Sequence, residues 1–208
     1  MIIAPRDAFR DLEDSIDIAT TRLELRPLVE TDVDDLWPVV SNPIVPQMMS
    51  WAAHKTREET DEWVLRQAEA RARGTGLVWG IAKDGRVVGT IGLSGIAWHE
   101  RALRVDRAEL GYWIAPALWG QGYATEAARA VVAFGFDDLG LHKITTRCFA
   151  ENAASRRVIE KCGFRFVGRL EEDVWRDGAW HAQLLYEIAI TEWSDTTSTR
   201  PYFRPPRG

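Results

Sequence analysis

Between Ala108 and Ala128 a strand-like run meets Gly120-Gln121-Gly122 and passes at once into a helical pattern. Glu109-Leu110-Gly111-Tyr112-Trp113-Ile114 alternates in the manner of a strand. From Tyr123 to Leu139, residues Ala124, Ala127, Ala128, Val131, Val132, Gly135 and Leu139 recur at helical spacing. Small residues along that stripe let the helix lie close to a sheet. A strand that turns through glycines directly into a close-packed helix points to an α/β architecture. Gly120 and Gly122 reach backbone angles closed to other residues and put no side chain in the way. The first turn of the helix offers N–H groups without internal acceptors and roughly half a positive charge. Such a turn is built to hold a phosphate.

The residues after the second glycine exclude two kinds of phosphate loop. A triphosphatase loop needs Lys and then Ser or Thr there, and the chain has Tyr123 and Ala124. A dinucleotide fingerprint needs a third small residue and an acid about 20 positions on, after a second strand, and Tyr123-Ala124-Thr125 fits that spacing poorly. An isolated Gly-x-Gly is also found in ordinary tight turns. The small-residue helix behind this one favours the phosphate reading.

The remaining elements alternate around this unit. Arg22 to Arg26 reads as a strand stopped by Pro27, and Thr31 as the N-cap of a short helix to Trp37. Glu58 to Arg73 reads as a helix ended by Gly74. Leu77 to Lys83 and Arg86 to Ile96 form a hairpin about Asp84-Gly85, and Val105 to Ile114 is the next strand. After the central helix come a strand (His142 to Phe149), a helix (Asn152 to Cys162), a strand (Phe164 to Leu170) and a last strand (Trp180 to Ile190). The expected fold is α/β, with a mixed central β-sheet flanked by helices on both faces. Residues 1–19 and 194–208 lack an apolar period and are expected to be flexible arms around one domain over 20–193.

Composition narrows the class further. A net charge of −5 argues against a nucleic-acid binder, and no run approaches the roughly 20 apolar residues of a membrane helix. The short apolar start at Met1 lacks the core of a secretory signal. Cys148 and Cys162 sit among apolar neighbours, so a disulfide framework is not expected and a reducing cytoplasm is. Neither they nor His54, His99, His142 and His181 show metal-ligand spacing, so no metal is expected. No nucleophile elbow appears, which leaves a covalent mechanism without support.

The stretch Trp119-Gly120-Gln121-Gly122-Tyr123-Ala124 resembles the pyrophosphate-binding motif of the GNAT superfamily of N-acetyltransferases. That motif usually opens on Arg or Gln. Trp119 in its place resembles the branch that acetylates the N-terminal residues of ribosomal proteins. Arg22-Leu23-Glu24-Leu25-Arg26-Pro27-Leu28 resembles the first strand of that branch, and Asn152 to Phe164 resembles its helix on the coenzyme A side. The match spans about Thr21 to Ile190. It implies a splayed sheet, acetyl-CoA as acyl donor and an amine acceptor. It further implies that backbone amides of Gln121, Gly122, Tyr123, Ala124 and Thr125 hold the pyrophosphate. The strand end at Trp113 and Ile114 would pair with the pantetheine arm, and Asn152 would contact the cofactor near its thiol. Asn152 is equally well placed as a plain helix N-cap, with Ser155 three residues on.

Acyl transfer to an amine needs a neutral amine, a stabilised thioester oxygen and a proton for the thiolate. Glu109 is the candidate base, on the strand face it shares with Gly111 and Trp113. A Trp neighbour would partly desolvate it and raise its pKa, whereas a salt-bridged strand carboxylate is the plainer alternative. The tyrosine that many members of the superfamily place on the downstream helix is replaced by Ile159. Ser155 then becomes the candidate acid by the same resemblance, or it merely completes the helix start. Tyr112 and Tyr123 are further alternatives. The acceptor site is expected at Pro46 to His54 and at the Trp175 to Trp180 turn. Its acceptor is a protein N-terminal α-amine or a small amine such as an aminosugar antibiotic or polyamine. A non-catalytic coenzyme A sensor is the alternative from another class. The ten tryptophans are compatible with a homodimer.

Overall fold

The computed structural model describes residues 16–194, so the expected arm over 1–15 and the tail over 195–208 lie outside the described residues. The strands are β1 (Ile18–Ala19), β2 (Glu24–Pro27), β3 (Gly76–Lys83), β4 (Arg86–Glu100), β5 (Leu103–Ile114), β6 (Lys143–Phe149), β7 (Arg165–Arg176) and β8 (Ala179–Ala189). The helices are α1 (Val33–Val40), α2 (Arg57–Ala72), α3 (Tyr123–Asp137), α4 (Ala153–Lys161) and α5 (Ile190–Ser194). Among the described residues no helix is long and apolar enough to cross a membrane.

The eight strands form one sheet in the order β1-β2-β3-β4-β5-β6-β8-β7. Every neighbouring pair is antiparallel except β5 with β6. Parallel neighbours need a crossover, and α3 supplies it. Alternation along β5 sends Leu110 and Ile114 to a core shared with α3, while Trp113 joins Val33, Leu36 and Val40 of α1 and Val64 of α2. The sheet is therefore mixed and covered by helices on both faces.

Several boundaries differ from expectation. Ile16 and Ile18 are buried, Ile18–Ala19 pairs with β2, and the Trp79 indole donates to the Ile16 carbonyl at 2.8 Å. Folded structure thus starts before Thr20. Two isoleucines separated by one residue form too short an alternation to stand out in the sequence. Thr31 lies inside a short 3-10 turn (Glu30–Asp32) instead of capping a helix, and the buried Asp32 carboxylate takes the Val29 N–H and the Arg26 guanidinium. The helix after it continues through Pro38 to Val40.

The hairpin about Asp84 and Gly85 forms with both residues at positive φ, 52° and 79°, the geometry of a tight two-residue turn. β4 runs on past Ile96 to Glu100 and folds back into β5 through a second hairpin that the sequence pattern did not announce.

Candidate active site

The ladder between β5 and β6 is short. It pairs only Arg107, Ala108 and Glu109 with Lys143, Ile144 and Thr145. β4 stays paired with β5 as far as Ile114, and β8 stays paired with β6 as far as Phe149. From Leu110 onward the sheet is open between its two middle strands. At the fork the Thr146 hydroxyl donates to the Leu110 carbonyl at 2.9 Å, so a buried side chain replaces the first lost backbone rung. Gly111 is next along the strand, exposed, with room beside its Cα for a side chain. This opening is the splay that the resemblance implied.

β5 leads into a 3-10 turn (Pro116–Leu118) and then the glycine turn. The Trp119 indole donates to the Ile114 carbonyl at 2.7 Å and closes that loop. Trp119 therefore serves as a local staple where Arg or Gln is usual, and it commits the Ile114 carbonyl. Gly120 and Gly122 have φ of 75° and 84°, and Gly122 is the N-cap of α3. The Tyr123 ring is buried, and the turn from Gly120 to Gly122 is exposed. Glu126 in the first turn of α3 is bound by Arg22 and Thr20 from ahead of β2. These ties keep the Glu126 carboxyl below the usual range, against a burial effect that pushes it up.

Trp113 and Ile114 are buried side chains of the two cores, so only their backbone is available to a ligand in the opening. Asn152 caps α4, with its Oδ1 accepting the Ser155 N–H at 2.9 Å. The Ser155 hydroxyl meets the Tyr112 hydroxyl at 2.9 Å. Ser155 thus completes the helix start and also faces the opening strand. Burial pushes the Tyr112 phenol well above its ordinary pKa, with the Ser155 hydrogen bond opposing. Ile159 is fully buried in the core.

The other face of β5 presents Glu109. Its side chain is 44% exposed and lies 3.8 Å from Arg147, which in turn lies 3.8 Å from Asp173. Glu109 is therefore partly buried and paired with Arg147, the salt-bridged alternative of the two readings. Trp113 packs against Trp51, ring centroids 6.3 Å apart. The two segments expected to receive the acceptor are brought together: Arg176 of β7 donates to the Met49 carbonyl. Trp51 also contacts His54, whose Nδ1 is 2.8 Å from the Thr60 hydroxyl and whose pKa is lowered by burial. Trp175 and Trp180 pack edge to face at the tip of the β7–β8 hairpin and remain exposed.

Sequence reasoning missed Thr146, Arg147, Asp173 and the tie between Arg22 and Glu126. Polar residues at these places look like ordinary solvated positions until the sheet pairing sets them around the fork. Cys148 and Cys162 are free and buried, and burial raises their thiols to about 11 and about 12. Among the described residues no cluster of His, Cys, Asp and Glu could hold a metal ion.

Known proteins share this arrangement. The profile of the acetyltransferase (GNAT) domain matches residues 22–165. The FsC-acetyl coenzyme A-N(2)-transacetylase of Aspergillus fumigatus is 32% identical over 181 residues, which span 84% of this chain and 76% of that one. The ribosomal-protein-serine acetyltransferase of Escherichia coli is 24% identical over 171 residues, 81% of this chain and 93% of its own. Among solved structures, Mycobacterium smegmatis RimJ in complex with CoA-disulfide superposes with a TM-score of 0.75 at 25% identity. That match covers 85% of this chain and 87% of RimJ.

Proposed function

This chain belongs to the GNAT acetyltransferase family and is an N-acetyltransferase with acetyl-CoA as donor, and on that premise we propose that it acetylates α-amines, first among them protein N-termini. The reading is carried by Glu109, a half-buried carboxylate at the fork that is paired with Arg147. An α-amine near pKa 8 costs only about 1.4 kcal/mol to deprotonate at pH 7, whereas a lysine-like amine at about 10.4 costs about 4.6 kcal/mol. An α-amine is therefore the acceptor that asks least of Glu109, the carboxylate at the fork, which could reach it directly or through water.

The backbone amides of Gln121 to Thr125 hold the diphosphate, and the pantetheine arm runs along the unpaired edge of β5 from Gly111 to Ile114. The thioester then lies in the fork, between Glu109 on one face and the Tyr112–Ser155 hydroxyl pair on the other. The amine attacks the thioester carbonyl and gives its proton toward Glu109, directly or through water. The C–S bond breaks, and Ser155 donates a proton to the leaving sulfur and recovers one from water. Tyr112 with its raised pKa keeps its proton, so it orients Ser155 and does not ionise.

The resemblance of the Trp119 turn to the ribosomal-protein branch supports a protein acceptor, as does the similarity to the E. coli enzyme. A second reading, a small-molecule amine, is supported by the name of the Aspergillus relative. The two free buried thiols suit a reducing cytoplasm. The test is thiol release from acetyl-CoA across a panel of N-terminal peptides, polyamines and aminosugars at pH 7. Peptides with free α-amines should turn over fastest. Faster turnover of polyamines or aminosugars, with peptides inert, would overturn the protein acceptor.

A further inference from the structure

The first turn of α3 carries an acid, Glu126, at the place where a diphosphate is to bind. A carboxylate there favours the bare helix dipole but repels an arriving anion. The structure shows what is done with that charge. Glu126 Oε1 accepts from the Thr20 hydroxyl at 2.6 Å and from the Arg22 backbone N–H at 2.8 Å. Its Oε2 accepts from Arg22 Nε at 2.7 Å, with Arg22 Nη2 at 2.6 Å. The third guanidinium nitrogen, Nη1, donates to the Gln121 carbonyl at 3.0 Å, and the guanidinium carbon sits 4.2 Å from the centre of the Tyr123 ring. A Cβ built on Gly122 would lie 3.4 Å from Nη2, so Arg22 packs directly against the turn.

The contact with the Gln121 carbonyl bears directly on the ligand side. A trans peptide is planar, with its C=O and N–H pointing in opposite directions. Holding the Gln121 carbonyl toward Arg22 therefore aims the Gly122 N–H away from Arg22, out of the exposed turn. Exposed ion pairs are ordinarily worth little, but here the carboxylate side chain is only 16% exposed and two guanidinium nitrogens converge on one of its oxygens.

We propose that Arg22 is a positioning residue for coenzyme A: clamped by Glu126, it orients the Gln121–Gly122 peptide and cancels the carboxylate charge that would oppose the diphosphate. The inference rests on the reading that the amides of Gln121 to Thr125 bind that diphosphate. It assigns a role to a residue outside the glycine motif, on the segment leading into β2.

The experiment measures coenzyme A affinity by calorimetry for the wild-type chain, Arg22→Ala, and Arg22→Ala combined with Glu126→Gln. It also measures kcat/KM with S-acetyl-pantetheine, an acyl donor without the diphosphate. Arg22→Ala should bind coenzyme A about tenfold more weakly or worse, because an uncompensated carboxylate now faces the anion. Adding Glu126→Gln should restore part of that loss, because it removes the charge left unpaired beside the diphosphate. Turnover of acetyl-pantetheine should stay within about twofold throughout. Wild-type affinity in Arg22→Ala, a double variant no tighter than the single, or an equal loss with acetyl-pantetheine each overturns the role of Arg22. Equal affinity of the wild-type chain for coenzyme A and pantetheine would sink the amide reading, and this inference with it. If Arg22→Ala does not fold, Arg22→Gln replaces it with the same expectations.

Discussion

The Tyr112 hydroxyl stands 2.9 Å from Ser155 Oγ, joining the stretch of β5 that β6 no longer pairs to the first turn of α4 across the fork in the sheet. The same two residues are held from behind by independent contacts. Ser155 is fixed through its N–H on Asn152, and Tyr112 through its place in the β4–β5 ladder opposite Ile91. The hydroxyl pair is thus set by the fold before any ligand arrives, which is what the proposed proton donor requires.

Removing Ser155 Oγ tests that assignment. Ser155→Ala keeps the backbone N–H on Asn152, so α4 keeps its cap and thermal stability should change little. Turnover should fall by about 100-fold, the scale of one general acid, with coenzyme A affinity within about twofold. Tyr112→Phe should cost about 1 kcal/mol in stability through the lost, partly buried hydrogen bond, and less in turnover. Steady-state kinetics and thermal melts of both variants check this. A Ser155→Ala enzyme with wild-type kcat would return Ser155 to a purely structural place.

Glu109 offers a test on the opposite face. Glu109→Gln keeps the side chain's size beside Arg147, and with 44% exposure its folding cost should be small. Turnover of an α-amine peptide at pH 7 should drop by about 100-fold, while calorimetry with coenzyme A shows affinity close to wild type. Retained turnover would remove Glu109 from the mechanism.

Gly111 and Gly122 separate occupancy from conformation. At Gly111 an added Cβ meets nothing within 4 Å, and its φ is not positive. Gly111→Ala should therefore fold with unchanged stability and lose activity only if ligand runs through the fork. Gly122 has φ of 84°, where a side chain costs roughly 1–2 kcal/mol. Gly122→Ala should lower the melting temperature and weaken coenzyme A binding together. Melts and calorimetry on the pair make the comparison, and full activity in Gly111→Ala would move the pantetheine path elsewhere.

Range in the chain decides which of these features are legible beforehand. The strand–turn–helix unit from Glu109 is written in local periodicity and two glycines, and it forms with the helix ending at Asp137, two residues short of Leu139. The hairpin at Asp84 and Gly85 is likewise local. The fork is not, since it depends on where the β5–β6 ladder stops, and Thr146 cannot be recognised as the group that ends it without the register. Glu109 stands out by its strand face, but its partner Arg147 comes from β6, on the other side of the central crossover. Arg22 and Glu126 lie 104 residues apart, and nothing in either local pattern announces the other. The buried start at Ile16 and Ile18 escapes notice because its pattern is two residues long. What is short-range is legible, and what assembles the site around the fork is long-range.

The Arg22–Glu126 tie also leaves a mark on the pH dependence of stability. The Glu126 carboxyl is below its ordinary value in the folded chain: burial raises it, and the hydrogen bonds from Thr20 and Arg22 outweigh that. A carboxylate with a depressed folded pKa adds stability above its unfolded pKa, about 4.3. That contribution disappears as pH falls through the folded value, because below it the group is protonated in both states. Wild type should therefore be more stable than Glu126→Gln at pH 7, and the two melting temperatures should converge as pH drops below about 4. High salt should narrow the gap at pH 7 only partly, since the carboxylate is mostly enclosed. Thermal melts of both proteins between pH 3 and pH 8 decide it. A constant difference across that range would mean the tie acts by shape and hydrogen-bond count, with the ionised carboxylate contributing nothing of its own.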